Sequence, residues 1–249
     1  METDISKAVK LIKESKYLAV FTGAGISVES GIHPFNGEGG IWQKYDSQIL
    51  DISYFLENSE NAKNTWVVLK ELLDSISKAN PNNAHLSLAE LEKKGILKII
   101  ITQNIDDLHQ KAGSKKVLEF HGTMKTLTCV NNECRHKYKI EELNLNDILP
   151  KCKECGAVLR PDICFFGEDP HEPTKSLSFQ EALKADVMIV IGTLGLVQPA
   201  VSIPRIAKQN GTKIIEINPD ASLLTAFGVS DIFLQGKAGE IMKQIMEAI

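Results

Sequence analysis

An apolar run that stops on Thr-Gly-Ala-Gly constrains this chain more than any other feature. Residues 18–32 read Leu-Ala-Val-Phe-Thr-Gly-Ala-Gly-Ile-Ser-Val-Glu-Ser-Gly-Ile. Leu18 to Thr22 suit a buried strand, Gly23 and Gly25 a tight turn, and Ala24 to Ser30 a short helical segment. Glycines let the main chain approach a pyrophosphate, and the first N–H groups of a helix offer it donors and positive potential. The dinucleotide fingerprint is incomplete. Val28 stands where its third glycine falls, and no Asp or Glu closes a second strand about 20 residues on. On these residues alone an ordinary glycine turn stays open as the alternative.

The remaining chain alternates helices and strands. Ile5, Val9, Leu11 and Ile12 predict an amphipathic helix ahead of a strand over 17–21. Residues 32–45 are Gly, Pro and polar around isolated Phe35, Ile41 and Trp42, which predicts a long mobile loop crossing above the glycine turn. One or two helices follow over 51–79 and another from Asn83 to Lys94, stopped at Gly95. The strand at 97–101 then delivers Thr102-Gln103-Asn104-Ile105-Asp106 to its carboxyl end, where open parallel sheets bind ligands. Val117 to Phe120 runs into His121-Gly122, Val187 to Ile191 into Gly192-Thr193, and Lys213 to Ile217 into Asn218. A helix over 203–209, a strand near 232–234 and a helix over 239–248 complete the rhythm, which predicts an α/β fold on a parallel sheet.

Residues 123–161 differ in character. They hold four of the chain's five cysteines and no long apolar run, so they read as an insertion too small for its own core. Four residues separate Cys129 from Cys134, two separate Cys152 from Cys155, and 17 lie between the pairs. That spacing fits two knuckles closing a tetrahedral Zn-Cys₄ site, with disulfides or free thiols as the alternative. Four thiolates leave zinc no open position, so the expected metal is structural. Cys164, alone in an apolar run, reads as a buried small hydrophobe.

The net charge of -4 argues against a generic nucleic-acid binder. The first residues lack the order of a secretory signal, and no apolar run reaches the roughly 18 residues of a membrane span, so a soluble, cytoplasmic protein is expected. His121, at a strand end before Gly122, suits a partly exposed general base or an ordinary structural histidine. Asn104 and Asp106 suit amide and ribose binding, or capping of a helix starting near Asp107. His85 and His109, on predicted helices, read as structural or surface residues.

Together these residues resemble the sirtuin family of NAD-dependent protein deacylases over nearly the whole chain. The matching motifs are Thr-Gly-Ala-Gly-Ile-Ser (22–27) with Ser-Gly-Ile (30–32), Thr-Gln-Asn-Ile-Asp (102–106) with Leu-His (108–109), and Glu-Phe-His-Gly (119–122). After the paired cysteines come Arg-Pro-Asp-Ile-Cys-Phe-Phe-Gly-Glu (160–168), Gly-Thr (192–193) with Val-Gln-Pro-Ala (197–200), Ile-Asn (217–218) and Gly-Lys-Ala-Gly-Glu (236–240). The resemblance implies a Rossmann-like NAD-binding domain over 1–32, 80–121 and 165–249, a cofactor loop with a helical module over 33–79, and a zinc ribbon over 122–164. It implies His121 as general base with Asn104 beside it. Cofactor contacts are implied at Gly23, Ala24, Gly25, Ser27, Ile32, Phe35, Gln103, Asn104, Ile105, Asp106, Gly192, Thr193, Asn218 and Ala238. An acyl-lysine peptide is implied against Ile163, Phe165, Phe166, Gly167, Glu168, Leu196 and Val197. The implied products are nicotinamide, O-acyl-ADP-ribose and free lysine.

Departures from the family pattern fall near the implied cofactor. Where the family commonly has Gly-Ile-Pro-x-Phe-Arg-Gly, this chain has Gly31-Ile32-His33-Pro34-Phe35-Asn36-Gly37, and Leu194 stands where a serine follows Gly-Thr. Asn36 brings no guanidinium and Leu194 no hydroxyl. The lack of a Tyr-x-x-Arg pair within 60–75 speaks against dicarboxylic acyl groups. An NAD-dependent ADP-ribosyltransferase or hydrolase, or a weakly active or inactive module that binds NAD or ADP-ribose, remain the alternatives.

Overall fold

Thr3 starts the first helix, α1 (Asp4–Glu14), by accepting a hydrogen bond from Ser6 N on its side chain, and the chain then enters β1 (Leu18–Thr22), where all five residues are buried. The computed structural model describes residues 3–35 and 39–249. A tight 3-10 segment, Ala24–Ser30, follows β1 and stops at Gly31 in the left-handed region. Next come α2 (Ile52–Glu57), α3 (Ser59–Lys78), α4 (Asn83–Lys93), β2 (Leu97–Thr102), α5 (Leu108–Lys111) and β3 (Val117–Glu119). The middle of the chain supplies β4 (Gly122–Cys129), β5 (Lys137–Lys139) and β6 (Leu159–Ile163). The last third runs α6 (Thr174–Lys184), β7 (Val187–Ile191), α7 (Ser202–Gln209), β8 (Lys213–Asn218), α8 (Leu223–Ala226), β9 (Ile232–Gln235) and α9 (Ala238–Ala248).

The chain gathers into two units. One holds the residues up to Pro34 with Ala79–Phe120 and Glu172–Ile249, the other Phe35–Lys78 with His121–His171. In the first unit six strands pair in the order β3-β2-β1-β7-β8-β9, every pair parallel. Successive side chains of one strand enter opposite faces. Leu18 and Val20 pack with Ile12 of α1, Leu88 of α4 and Met242 of α9, while Ala19 and Phe21 pack with Ala182 of α6 and Ile203 of α7. Cover on both faces is why these strands read as unbroken apolar runs.

In the second unit β5, β4 and β6 form a small antiparallel sheet. The core that residues 123–161 lack on their own comes from α2 and α3. Trp66 is fully buried and donates Nε1 to Leu159 O at 2.8 Å, Phe55 stacks on Phe165 at 5.3 Å, and Lys70 Nζ donates to Leu145 O and Asp147 O.

Two local expectations can be placed. The loop over 32–45 contains a short 3-10 turn, Ile41–Gln43, and Trp42 N bonds Phe35 O at 3.1 Å. Asn36 and Gly37 lie outside the described residues. The helix expected near Asp107 is found there, beginning at Leu108 with Asp107 at its N-cap in the left-handed region at φ 62°. Among the described residues no helix is long and apolar enough to cross a membrane.

Candidate active site

Strand β1 sits where the sheet order turns. β2 lies on one side of it and β7 on the other, so Thr22 is in register with both Thr102 and Ile191. Loops leaving such neighbours diverge and open a crevice beyond the carboxyl ends. The glycine turn seals the floor of that crevice: Gly23 N bonds Ile191 O at 2.9 Å and Gly25 N bonds Gly192 O at 2.9 Å. A Cβ on Gly25 would stand 2.6 Å from Gly192 Cα, and one on Gly192, at φ 66°, would stand 2.3 Å from Ile26 N. Both glycines are therefore steric requirements of the turn.

Beside the turn a polar cluster is buried. Ser27 Oγ donates to Asp106 Oδ2 at 2.6 Å, while Asn104 Nδ2 lies 3.2 Å from both Ser27 Oγ and Gly23 O as donor. Asp106 Oδ1 also accepts Leu108 N at 3.0 Å, so this carboxylate both caps α5 and holds Ser27. Asn104 caps nothing. Its own N–H is held at 3.0 Å by Thr102 Oγ1, which takes the Thr22 hydroxyl at 2.8 Å.

Burial pushes Asp106 above the ordinary carboxylate range, against the hydrogen bonds from Ser27 and Leu108. A group whose folded pKa is raised contributes stability that is full below its unfolded pKa and is lost as pH rises through the folded one. Charged Asp106 thus costs stability at neutral pH. Asp106→Asn is expected to raise Tm at pH 7, and to raise it by less at pH 4, where the parent carboxyl takes up its proton. Thermal melts at the two pH values check it; a fall at pH 7 would mean that the two hydrogen bonds outweigh burial.

Further residues meet at the same strand ends. Gln103 Nε2 donates to Thr193 Oγ1 at 3.1 Å, and Asn218 Nδ2 donates to Thr193 O at 2.9 Å. Ile32 is buried with its N–H 3.3 Å from Ser27 O, Ala24 and Ile105 are half-buried, and buried Ala238 begins α9. Leu194, Leu196 and Val197 are exposed on the loop after β7.

Sequence reasoning missed two carboxylates here. Glu216, fully buried in β8, takes Asn218 Nδ2 and Ser222 N on one oxygen and the Thr225 and Ser230 hydroxyls on the other. Burial pushes its pKa up, but these donors prevail and hold it below the usual range. A lone charge within Lys-Ile-Ile-Glu-Ile-Asn was the available signal, since a buried carboxylate requires donors. Glu29 Oε2 takes Gly239 N at 2.7 Å, fastening the 3-10 segment to the start of α9. No local pattern marks that contact. His85 and His109 prove buried, ring to ring at 4.9 Å; burial holds His85 at about 4 and His109 at about 3, so both are neutral structural groups at pH 7.

In the second unit His121 is half-buried just before β4, and its carbonyl accepts Cys164 N at 2.8 Å. The following glycine is obligatory, because at φ 80° a Cβ on Gly122 would lie 2.1 Å from Asp162 O. Along the next segment Ile163 is buried, Phe165 turns inward, Phe166 is 44% exposed, and Gly167 adopts φ 84°. Phe166 spends its N–H on Leu50 O and its carbonyl on Ile52 N. Rings line up here, Phe35 to Trp42 at 5.4 Å and Trp42 to Phe166 at 6.0 Å. Cys164 is not the buried hydrophobe expected. It is half-buried, with Sγ 3.4 Å from Glu168 O, because the backbone turns at Gly167 and brings that carbonyl over the thiol.

The four remaining cysteines converge. All four sulfurs lie within 4.8 Å of one another, with Cys129 to Cys155 at 3.5 Å and Cys134 to Cys152 at 3.7 Å. A tetrahedral zinc with bonds near 2.3 Å needs sulfurs about 3.8 Å apart, so the residues fit that ion. Cys164 stands outside the cluster. Elsewhere, a cavity lined by Glu92, Leu97, Lys98 and Lys115 lies at the amino end of β2, away from the crevice, and Glu92 already takes Lys115 N and Lys116 N.

The sequence model of the Sir2 family matches residues 23–199. The NAD-dependent protein deacylase of Pyrococcus furiosus is 42% identical over 250 residues, covering 98% of each chain. A crystal structure of a Sir2 homologue with NAD superposes with a TM-score of 0.88 at 41% identity, covering 97% of this chain and 92% of that one. A structure of Sir2 with a p53 peptide and NAD⁺ gives a TM-score of 0.88 at 33% identity over 98% of both chains.

Proposed function

The chain belongs to the Sir2 family, and we infer from that premise that it is an NAD-dependent protein lysine deacylase, an enzyme with a structural zinc. The observation that carries the reading is the buried Ser27–Asp106–Asn104 cluster beside the glycine turn, at the switch point of a parallel sheet. NAD would supply, as its nicotinamide departs, a ribose carbon electrophilic enough for a weakly nucleophilic amide oxygen, so that with one water consumed nicotinamide, O-acyl-ADP-ribose and free lysine result. The chain's own residues do the rest.

In this reading Gly23, Ala24 and Gly25, with Gly192 and Thr193, present main chain to the pyrophosphate, which no larger residue at Gly25 would permit. Asn104, Asp106 and Ser27, with Ile32 and Ile105, hold the carboxamide, whose NH2 group and carbonyl oxygen suit a carboxylate beside an amide. Gln103, Asn218 and Ala238 serve the ribose and adenosine side. Phe35 keeps water from the reacting face, and His121 accepts a ribose hydroxyl proton as general base. An acyl-lysine peptide adds as a strand along Ile163–Glu168 and along Leu196 and Val197, main-chain bonds giving affinity. Phe166 spends both main-chain groups on Leu50 and Ile52 and Glu168 N is spent on Phe165 O, which directs pairing to Gly167. The setting is the cytoplasm, where NAD and acylated proteins are at hand.

Incubation with NAD and an acetyl-lysine peptide, following nicotinamide, O-acetyl-ADP-ribose and protein-bound ADP-ribose together, tests the reading. Nicotinamide with O-acetyl-ADP-ribose supports deacylation; protein-bound ADP-ribose points to a transferase, and neither product to a binding module. The departures predict slow or weak use of NAD. Asn36→Arg with Leu194→Ser is expected to raise kcat/KM for NAD about tenfold or more, as one charge-assisted hydrogen bond is worth roughly 1.5–3 kcal/mol. An NAD titration at saturating peptide measures it, and an unchanged value would mean that another arrangement holds the phosphates.

A further inference from the structure

Resting on the peptide-binding role given to residues 163–168, we propose that Arg160 and Glu168 are positioning residues for the acyl-lysine peptide, a guanidinium–carboxylate clasp that sets the shape of the strand the peptide adds to. The two residues stand eight apart and bracket that segment. Arg160 meets Glu168 with both terminal nitrogens at 2.6 Å, Nη1 to Oε1 and Nη2 to Oε2. The second nitrogen also donates to Ile163 O at 2.8 Å, and the plane of the group covers the Phe165 ring at 4.6 Å. Glu168 Oε2 further accepts Phe165 N at 3.1 Å, and Glu168 N returns to Phe165 O at 3.1 Å. Apart from the fork that joins the pair, each of these contacts ends on Ile163 or Phe165, between the two residues.

The geometry decides which ring faces inward. With Phe165 pinned under the guanidinium and against Phe55, the next side chain, Phe166, must point outward, and Gly167 turns in the left-handed region to bring Glu168 back. Neighbouring residues on an extended chain face opposite ways, so a slip of one residue would exchange the two rings and displace the main-chain groups of Gly167. Glu168 is 22% exposed and Arg160 15%, so the pair is shielded enough to be firm. Its carboxylate is engaged within its own loop, which makes it a poor direct partner for a substrate cation. Lysine is no substitute at 160, because a single ammonium offers neither the planar fork nor the stacking face.

A loosened clasp leaves the glycine turn and the zinc cysteines untouched, so the cost belongs to peptide affinity. Steady-state kinetics with acetyl-lysine peptide and NAD varied in turn, on the parent, Arg160→Lys and Glu168→Gln, provide the test. Both variants are expected to raise KM for peptide about tenfold, with KM for NAD, kcat and zinc content within about twofold of the parent. Zinc content and an unchanged KM for NAD certify that the variants are folded. If Arg160→Lys keeps the parent KM for peptide, or if both KM values rise together, the clasp does not position peptide. A parent that neither binds nor turns over peptide would overturn the deacylase reading itself, and the clasp with it.

Discussion

Replacing His121 by Ala is expected to lower deacylation by roughly 10²–10⁴, the range for loss of a general base, while NAD binding stays measurable. The split follows from where the residues lie. The glycine turn and the Ser27–Asp106–Asn104 cluster belong to the first unit, whereas His121 belongs to the second. Removing an imidazole from the second unit takes away a proton acceptor and leaves the cradle's donors in place. The His121 main chain is fixed independently of its ring, by the bond from Cys164 N and by the close approach of Gly122 to Asp162 O, so the substitution is not expected to unfold β4. Product formation under saturating NAD and peptide, with NAD affinity measured separately by calorimetry, gives the two quantities. Deacylation near the parent rate would place the base elsewhere and remove the centre of the proposed mechanism.

The second large effect concerns the metal. Cys152→Ser should release zinc and expose residues 121–171 to protease, because a three-thiolate shell holds the ion far less tightly and metal binding in such modules is also folding energy, on the order of 10–16 kcal/mol in zinc-finger peptides. Only part of that stability is at stake here, since Trp66 and Phe55 supply an apolar core that an isolated finger lacks. The expected result is therefore a loosened, proteolysed ribbon on a unit whose helices persist. Cys164→Ser serves as the control. Its sulfur lies outside the four-cysteine cluster, so zinc content should be unchanged. Full zinc content and parental protease resistance in Cys152→Ser would contradict the ligand assignment.

Much of the fold was legible because its signals are short in range. Five consecutive buried residues in β1 and β7 read as apolar runs, the Gly95 stop closes α4, and two cysteine pairs at knuckle spacing converge on one cluster. The candidate site was harder. Asn104 and Asp106 stood out as polar residues at a strand end, but nothing local distinguished capping from ligand binding, and Ser27 entered only through the family resemblance. In three dimensions Asp106 uses one oxygen for each partner, Leu108 N and Ser27 Oγ. Asn36, central to the expected weakness toward NAD, lies outside the described residues, and that expectation rests on the titration with Asn36→Arg and Leu194→Ser.

What the sequence alone determined is whatever one stretch of chain can specify: the order of strands and helices, the glycines that steric contact demands, and the thiolates that a knuckle presents. Periodicity and spacing carry such features, since each depends on neighbours a few residues away. Tertiary structure decided the pairings between distant segments. Glu29 meets Gly239, Glu216 gathers hydroxyls from Thr225 and Ser230, and Arg160 closes on Glu168 across a segment that reads in sequence as an apolar run. A buried carboxylate must find donors, but which donors reach it depends on how the sheet and its loops come together, and a linear pattern does not encode that meeting.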